Sequence, residues 1–125
     1  MAIFLPGESD GFISSETEDE EDVIMPTPYN GIRTLSLATI HNPDSSEVVV
    51  NVGKYILPAD REGQLTVVDR PMRKMYDVSI PADGTLEIRN VVISVGKELR
   101  VWLNTEITDE TKQPRFTSSW SDYAQ

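Results

Sequence analysis

The chain contains no cysteine among its 125 residues. A disulfide framework, a cysteine-ligated zinc site and thiol catalysis are therefore excluded. Small secreted domains commonly depend on disulfides, so the lack of cysteine favours a chain that folds in a reducing cytoplasm.

Long apolar runs are also missing. No stretch approaches the roughly 18 to 20 apolar residues of a membrane-spanning helix. The first residues, MAIFLPGESDG, carry no basic side chain and reach Pro6 after a short apolar run, which is not the pattern of a secretory signal. We therefore expect no membrane partner.

Basic residues are absent from the first 28 positions, which hold eight of the 21 acidic residues. The net charge of -10 is accordingly concentrated there, because residues 29–125 carry 13 acids against 11 bases. An acidic segment repels phosphate, and the remainder has no dense basic patch. We expect no nucleic-acid partner.

Residues 1–28 are predicted to form an acidic, extended N-terminal arm. Two short apolar groups, at 3–5 and 23–25, flank polar and acidic sequence that buries too little apolar surface to fold alone. Pro26 and Pro28 then impose an extended path. We expect this arm to be dispensable for folding and needed for binding a partner.

Residues 29–125 read as β-strands, because apolar and polar residues alternate with period two. The predicted strands are 32–41, 47–57, 64–68, 74–80, 85–90, 91–95, 98–105 and 115–120. Turn sequences such as NPDS at 42–45 and PADG at 81–84 separate them. We predict an all-β fold, a single antiparallel β-sandwich of jelly-roll or Ig-like Greek-key type with about seven or eight strands and a C-terminal aromatic tail.

The alternation also predicts which side chains face the core. The expected inward residues are Leu35, Leu37, Val48, Val50, Val52, Ile56, Tyr76, Val78, Ile80, Leu86, Ile88, Leu99, Val101, Leu103, Phe116 and Trp120. Met75 and Trp102 lie on the outward parity of their strands.

Residues for catalysis or metal binding form no convincing motif. His41 is the single histidine, and no Gly-x-Ser-x-Gly sequence accompanies it. The acidic run ETEDEED at 16–22 lacks the central glycine and the spacing of an EF-hand loop. We predict no catalytic residue, no metal, no cofactor and no enzymatic activity.

Candidate partner-binding residues are the apolar groups of the arm, its acidic run and the two tryptophans. An outward Trp102 is typical of a protein interface, although the arm or the second sheet could also cover it. The acids are expected to face basic side chains of a partner. The full set is Phe4, Leu5, Glu18, Asp19, Glu20, Glu21, Ile24, Met25, Trp102 and Trp120.

Residues 76–105, YDVSIPADGTLEIRNVVISVGKELRVWLNT, resemble small β-sandwich virion proteins of tailed bacteriophages. An upstream stretch, TIHNPDSSEVVVNVGKYIL at 39–57, belongs to the same pattern, and the resemblance spans about residues 33–105. It implies a non-enzymatic structural protein, namely a capsid decoration or cement protein located in the virion after assembly in the host cytoplasm. The implied partners are the major capsid protein or another virion protein and further copies of the chain, as a trimer or ring.

Two alternatives stay open at this stage. The chain could be a neck, tail or baseplate component of the virion. In another functional class, it could be a carbohydrate-binding β-sandwich in which Trp102, Trp120 and Tyr123 stack on sugars.

Overall fold

The computed structural model describes residues 3–13, 22–57, 72–104 and 107–124. These residues form nine β-strands and one short 3-10 helix, Glu110–Lys112. The strands are β1 Ile3–Phe12, β2 Asp22–Met25, β3 Ile32–His41, β4 Val48–Ile56, β5 Met72–Ile80, β6 Thr85–Ile88, β7 Val92–Ser94, β8 Lys97–Leu103 and β9 Arg115–Ala124.

The strands form two antiparallel sheets that pack face to face. Sheet A has the order β1-β9-β3-β6, with β7 also paired to β3, and sheet B has the order β2-β8-β4-β5. Successive strands of the first half therefore pair with strands of the second half in reverse order, β1 with β9, β2 with β8, β3 with β6 and β4 with β5. This is one long hairpin rolled into two layers, which is the jelly-roll topology.

The predicted all-β antiparallel sandwich is confirmed, and of its two proposed topologies the strand order selects the jelly roll. Seven of the eight predicted strands are present, and the eighth, at 64–68, lies outside the described residues. Two further strands, β1 and β2, arise within the segment predicted as an arm. They occupy one edge of sheet A and one edge of sheet B, so these two parts of the predicted arm are strands of the sandwich itself.

The core lies between the sheets and is almost entirely aliphatic. Val50, Val52 and Val101 are fully buried there, as the alternation predicts. Ile13, Ile24 and Met25 from the N-terminal segment join the same cluster with no exposed surface. The segment that is strongly acidic overall thus contributes three of the best buried side chains.

The prediction that Leu37 shares the inward face of Leu35 is wrong. Leu35 is buried, whereas Leu37 is only half-buried, and Ala38 and Ile40 take the next core positions. The cause is a register shift between Leu35 and Leu37 in the pairing of β3 with β9. One extra residue in a strand reverses the alternation beyond it.

Tyr76 also departs from its predicted burial. It keeps the register position opposite Val52 but is 38% exposed, and neighbouring Met75 is 43% exposed. β5 is the edge strand of sheet B, and its pairing with β4 shifts register between Tyr76 and Lys74. Partial burial still raises the pKa of Tyr76, because desolvation disfavours the phenolate.

The predicted turn at 42–45 is organised by Asn42, whose side chain is fully buried. Its amide nitrogen donates to the carbonyls of Ser46 at 2.9 Å, Ile80 at 3.0 Å and Pro81 at 3.2 Å. Its side-chain oxygen accepts from the backbone N–H of Asp44 at 3.0 Å, an Asx-turn. One side chain therefore fixes both this turn and the start of the turn between β5 and β6.

Candidate protein-binding surface

The outer face of sheet A is a broad surface whose composition changes along the strands. Register places Glu8, Ser119 and Leu37 in one row and Asp10, Thr117 and Thr39 in the next. Glu8 and Asp10 are exposed, and the Thr39 and Thr117 hydroxyls lie 2.6 Å apart. The middle of the face is therefore rich in hydroxyl groups and is acidic along β1.

A shallow groove of about 440 Å³ runs beside β1 on this face. Glu8, Ser9 and Asp10 line one side of it, and Leu37, Thr117 and Ser119 line the other. The groove combines carboxylates, hydroxyls and one apolar side chain, which is suited to a polar or cationic segment lying along the strand.

The row beyond Asp10 ends the face with charged and aromatic groups. The Arg115 guanidinium lies 4.8 Å from the centroid of the Phe12 ring. His41 lies opposite Arg115 in the register, and its ring nitrogens are 3.1 Å from the Thr85 hydroxyl and 3.3 Å from the Asp83 carboxylate. These contacts hold the histidine at the surface, between one hydroxyl and one carboxylate.

The opposite end of the same face is apolar. Tyr123, Ile32 and Ser94 are aligned across β9, β3 and β7, and Val92 lies one row away. Ile32 and Val92 are exposed, as are Val95 in the β7–β8 turn and Tyr29 before β3, which is 95% exposed. We name Tyr29, Ile32, Val92 and Val95 the apolar corner. Clustered exposed apolar side chains of this kind mark contact surfaces.

The inner face of sheet A places two aromatic side chains of β9 against glycines of β1. Gly7 pairs with Trp120 and Gly11 with Phe116. A Cβ on Gly7 would overlap the indole ring, and a Cβ on Gly11 would lie 3.1 Å from Phe116. The glycines therefore let the rings cover the backbone of β1, which closes the core at this edge.

Beside Trp120, Arg33 closes the same end of the sandwich. Its guanidinium binds the Asp122 carboxylate at 2.5 and 2.8 Å and donates to the Pro26 carbonyl at 2.7 Å. It also stacks 5.0 Å from the Trp120 ring centroid. These contacts join the β2–β3 connection to β3 and β9. Arg33 therefore stabilises the end of sheet A that carries the apolar corner.

On sheet B, Trp102 lies on the face away from the core, as its parity predicts, but it is only 7% exposed. Arg100 and Glu98, two and four residues earlier in β8, have the same parity and are also buried. Arg100 donates to Glu98 from Nε at 2.8 Å and stacks 3.5 Å from the centroid of Tyr55. The predicted exposed tryptophan thus belongs to a buried polar and aromatic layer.

The structure separates the predicted partner-binding residues into three groups. Ile24, Met25, Trp102 and Trp120 are all buried within their own chain. The backbone of Phe4 and Leu5 lies in β1. Register places Phe4 opposite Tyr123 of β9, and Tyr123 is in turn opposite Ile32 of β3. Glu18, Asp19, Glu20 and Glu21 lie outside the described residues.

Sequence reasoning missed the apolar corner and Phe12. Ile32 and Val92 have the outward parity in their strands, but parity alone does not show which outward side chains stay exposed in the folded chain. Tyr29 stands in a Pro-rich connection, and a sequence signal was available there, because an aromatic residue in a polar loop has no core to enter.

Groups for metal binding or membrane insertion are not found in the described part of the chain. Across its four ranges, no set of three or more His, Asp and Glu side chains is positioned to hold a metal ion. No helix within those ranges is long and apolar enough to cross a bilayer.

Comparisons with known proteins do not assign this chain to a family. No protein-family model matches this chain, and no curated protein matches it.

Proposed function

We propose that this chain is a non-enzymatic structural protein of a tailed-phage virion, a decoration or cement protein that binds neighbouring capsid subunits. The stretch that resembles such proteins, about 33–105, covers strands β3 to β8 and so includes three of the four strands of sheet B. Jelly rolls are common in viral capsid proteins, but also in lectins and cupins, so the fold supports the proposal without deciding it.

The observation that carries the proposal is the apolar corner beside the N-terminal strand. Ile32, Val92 and Val95 are exposed together, and a group of exposed apolar side chains is typical of a protein-binding surface. Register brings the predicted anchor Phe4 to the same end of sheet A. The N-terminal segment and the corner would then form one continuous contact surface for a neighbouring virion subunit.

The carbohydrate-binding alternative loses its main support. A sugar-binding platform needs exposed aromatic faces, whereas Trp102 is 7% and Trp120 is 8% exposed. The neck, tail and baseplate alternative keeps the same contact chemistry and differs in location. Copy number separates the two, because a decoration protein covers the capsid and a neck protein forms a single ring.

The proposal is tested by binding to virus particles that lack this protein. The Ile32→Ser/Val92→Ser double variant should bind about ten-fold more weakly or worse, since apolar anchors at the centre of an interface each contribute over roughly 1 kcal/mol. Met75→Ser removes a similarly exposed apolar group from sheet B and is the matched control. Failure of the wild-type protein to bind particles would refute the assignment, and equal binding by all three would refute the corner as the contact surface.

A further inference from the structure

β1 is an open edge of sheet A. Among the described strands it pairs with β9 on one side and with no strand on the other. The backbone N–H and C=O groups along such an edge can accept an added strand from another chain.

The side chains of β1 on the outer face give the edge a single sign of charge. Glu8, Asp10 and Phe12 follow one another at every second position and are all exposed. Neither carboxylate forms an ion pair with a described residue, and Arg115 on the same face is in register with Phe12. Residues 1–28 contain no Lys or Arg that could neutralise them locally.

We propose that β1 binds an extended, basic segment of a partner protein by strand addition. The segment carries Lys or Arg at two alternate positions, opposite Glu8 and Asp10, and an apolar residue two positions further on, opposite Phe12. This names the chemistry of the partner segment. It rests on the proposed function only for the identity of the partner as a virion protein.

The spacing follows from strand geometry. An added strand lies about 4.8 Å from β1, and side chains directly opposite one another share a face. Residues two apart on the added strand therefore meet Glu8 and Asp10 in turn. The groove beside β1 gives long basic side chains space to lie across the strand towards the Thr117 and Ser119 hydroxyls.

The same charges disfavour pairing between two copies of β1. In an antiparallel or parallel self-pair, carboxylates at 8 and 10 would face other carboxylates or uncharged side chains, and no base is available from either strand. Like charges opposite one another destabilise a strand pair, which is how many proteins protect an edge from self-association. The edge is therefore open to a basic partner and closed to its own copy.

The test uses the full chain and synthetic nine-residue peptides. Each peptide carries two Lys and one Val at alternate positions and Thr at all other positions. Two peptides, with Val before or after the Lys pair, cover both strand directions, and a third has Glu in place of Lys. At about 0.05 M salt a Lys peptide should bind, and it should increase the hydrogen-exchange protection of residues 7–12. Absence of binding, or protection confined to other strands, would overturn the proposal.

Charge variants test the assignment of the two carboxylates. Glu8→Gln/Asp10→Asn should weaken Lys-peptide binding about 2- to 30-fold, as expected for two exposed cross-strand charge pairs. Asp83→Asn/Glu87→Gln makes the same charge change at the other edge of sheet A and should leave affinity unchanged. The difference should shrink towards 1 M salt, where the Debye length falls to about 3 Å. Equal weakening of Lys-peptide binding by both variants would contradict the proposal. Binding of the Glu peptide as tight as that of the Lys peptide would also contradict it. Particle binding that persists when peptide binding fails would leave the proposed function standing and remove this inference alone.

Discussion

The side chain of Asn42 connects two turns of this fold by hydrogen bonds. It is fully buried, donates to three backbone carbonyls from two different turns and accepts one backbone N–H. The connection from β3 to β4 and the connection from β5 to β6 both cross between the sheets, so this residue couples two crossings.

Replacing Asn42 by Ala should therefore lower the free energy of unfolding by about 1 to 3 kcal/mol, because the carbonyls of Ile80 and Pro81 lose a buried donor. Urea unfolding measures this change. Ser45→Ala, in the same turn but exposed, should change stability by less than about 0.5 kcal/mol. Equal effects of the two substitutions would show that the Asn42 bonds contribute little.

Gly7 is a second position at which the fold restricts the residue type, here to a residue without a side chain. A methyl group there would overlap the Trp120 ring, whereas at Gly11 it would reach Phe116 only at 3.1 Å. Gly7→Ala should therefore destabilise the protein by about 1 to 3 kcal/mol through overpacking, and Gly11→Ala by less.

Thermal unfolding and tryptophan fluorescence measure the Gly7 effect together, because the displaced ring changes its environment. Combining Gly7→Ala with Trp120→Phe should cost less than the sum of the two single substitutions, since the smaller ring leaves room for the methyl group. Strict additivity would show that the two residues do not interact.

At the scale of elements, seven strands could be predicted from the sequence, whereas the N-terminal edge strands β1 and β2 could not. Val50 and Val52 flank Asn51, and Leu99, Val101 and Leu103 recur at every second position. This local pattern was enough to identify β4 and β8 and their inward faces. β1 contains Pro, two Gly and two acids, which argue against a strand. It becomes one because β9 pairs with it across more than a hundred residues of sequence.

Pairing between distant strands also explains why the exposed side chains of the candidate surface could not be predicted from the sequence. The register shift near Leu37 depends on the pairing of β3 with β9, and a bulge leaves no mark in the alternation of β3 alone. Trp102 was placed on the correct face, but its burial depends on three-dimensional packing. Which outward side chains remain exposed is a property of the folded chain and not of strand parity.

Removal of residues 1–28 is the element-scale test of how β1 and β2 contribute. The cut deletes Ile13, Ile24 and Met25, each worth about 1.5 to 3 kcal/mol when fully buried. Their loss is comparable to the whole stability of a small domain, about 5 to 15 kcal/mol. We therefore expect residues 29–125 alone to lose the cooperative thermal transition of the full chain, which replaces the expectation from sequence that the arm is dispensable for folding.

Circular dichroism melts of the two proteins measure this difference. Removal of residues 1–2 alone, before the first residue of β1, is the control and should leave the transition unchanged. A cooperative transition in 29–125 close to that of the full chain would show that both N-terminal strands are peripheral.

For the molecule as a whole, the rolled hairpin determines when the protein can fold during its synthesis. β1 is synthesised before the other eight described strands, yet its partner β9 is synthesised after all of them. At about 5 to 20 residues per second, the residues between Phe12 and Arg115 take about 5 to 20 s to synthesise. During that time the apolar Ile3–Leu5 segment has no partner strand. Folding is completed only after the C-terminal strand is released from the exit tunnel, and the acidic residues that follow β1 help to keep the waiting chain soluble.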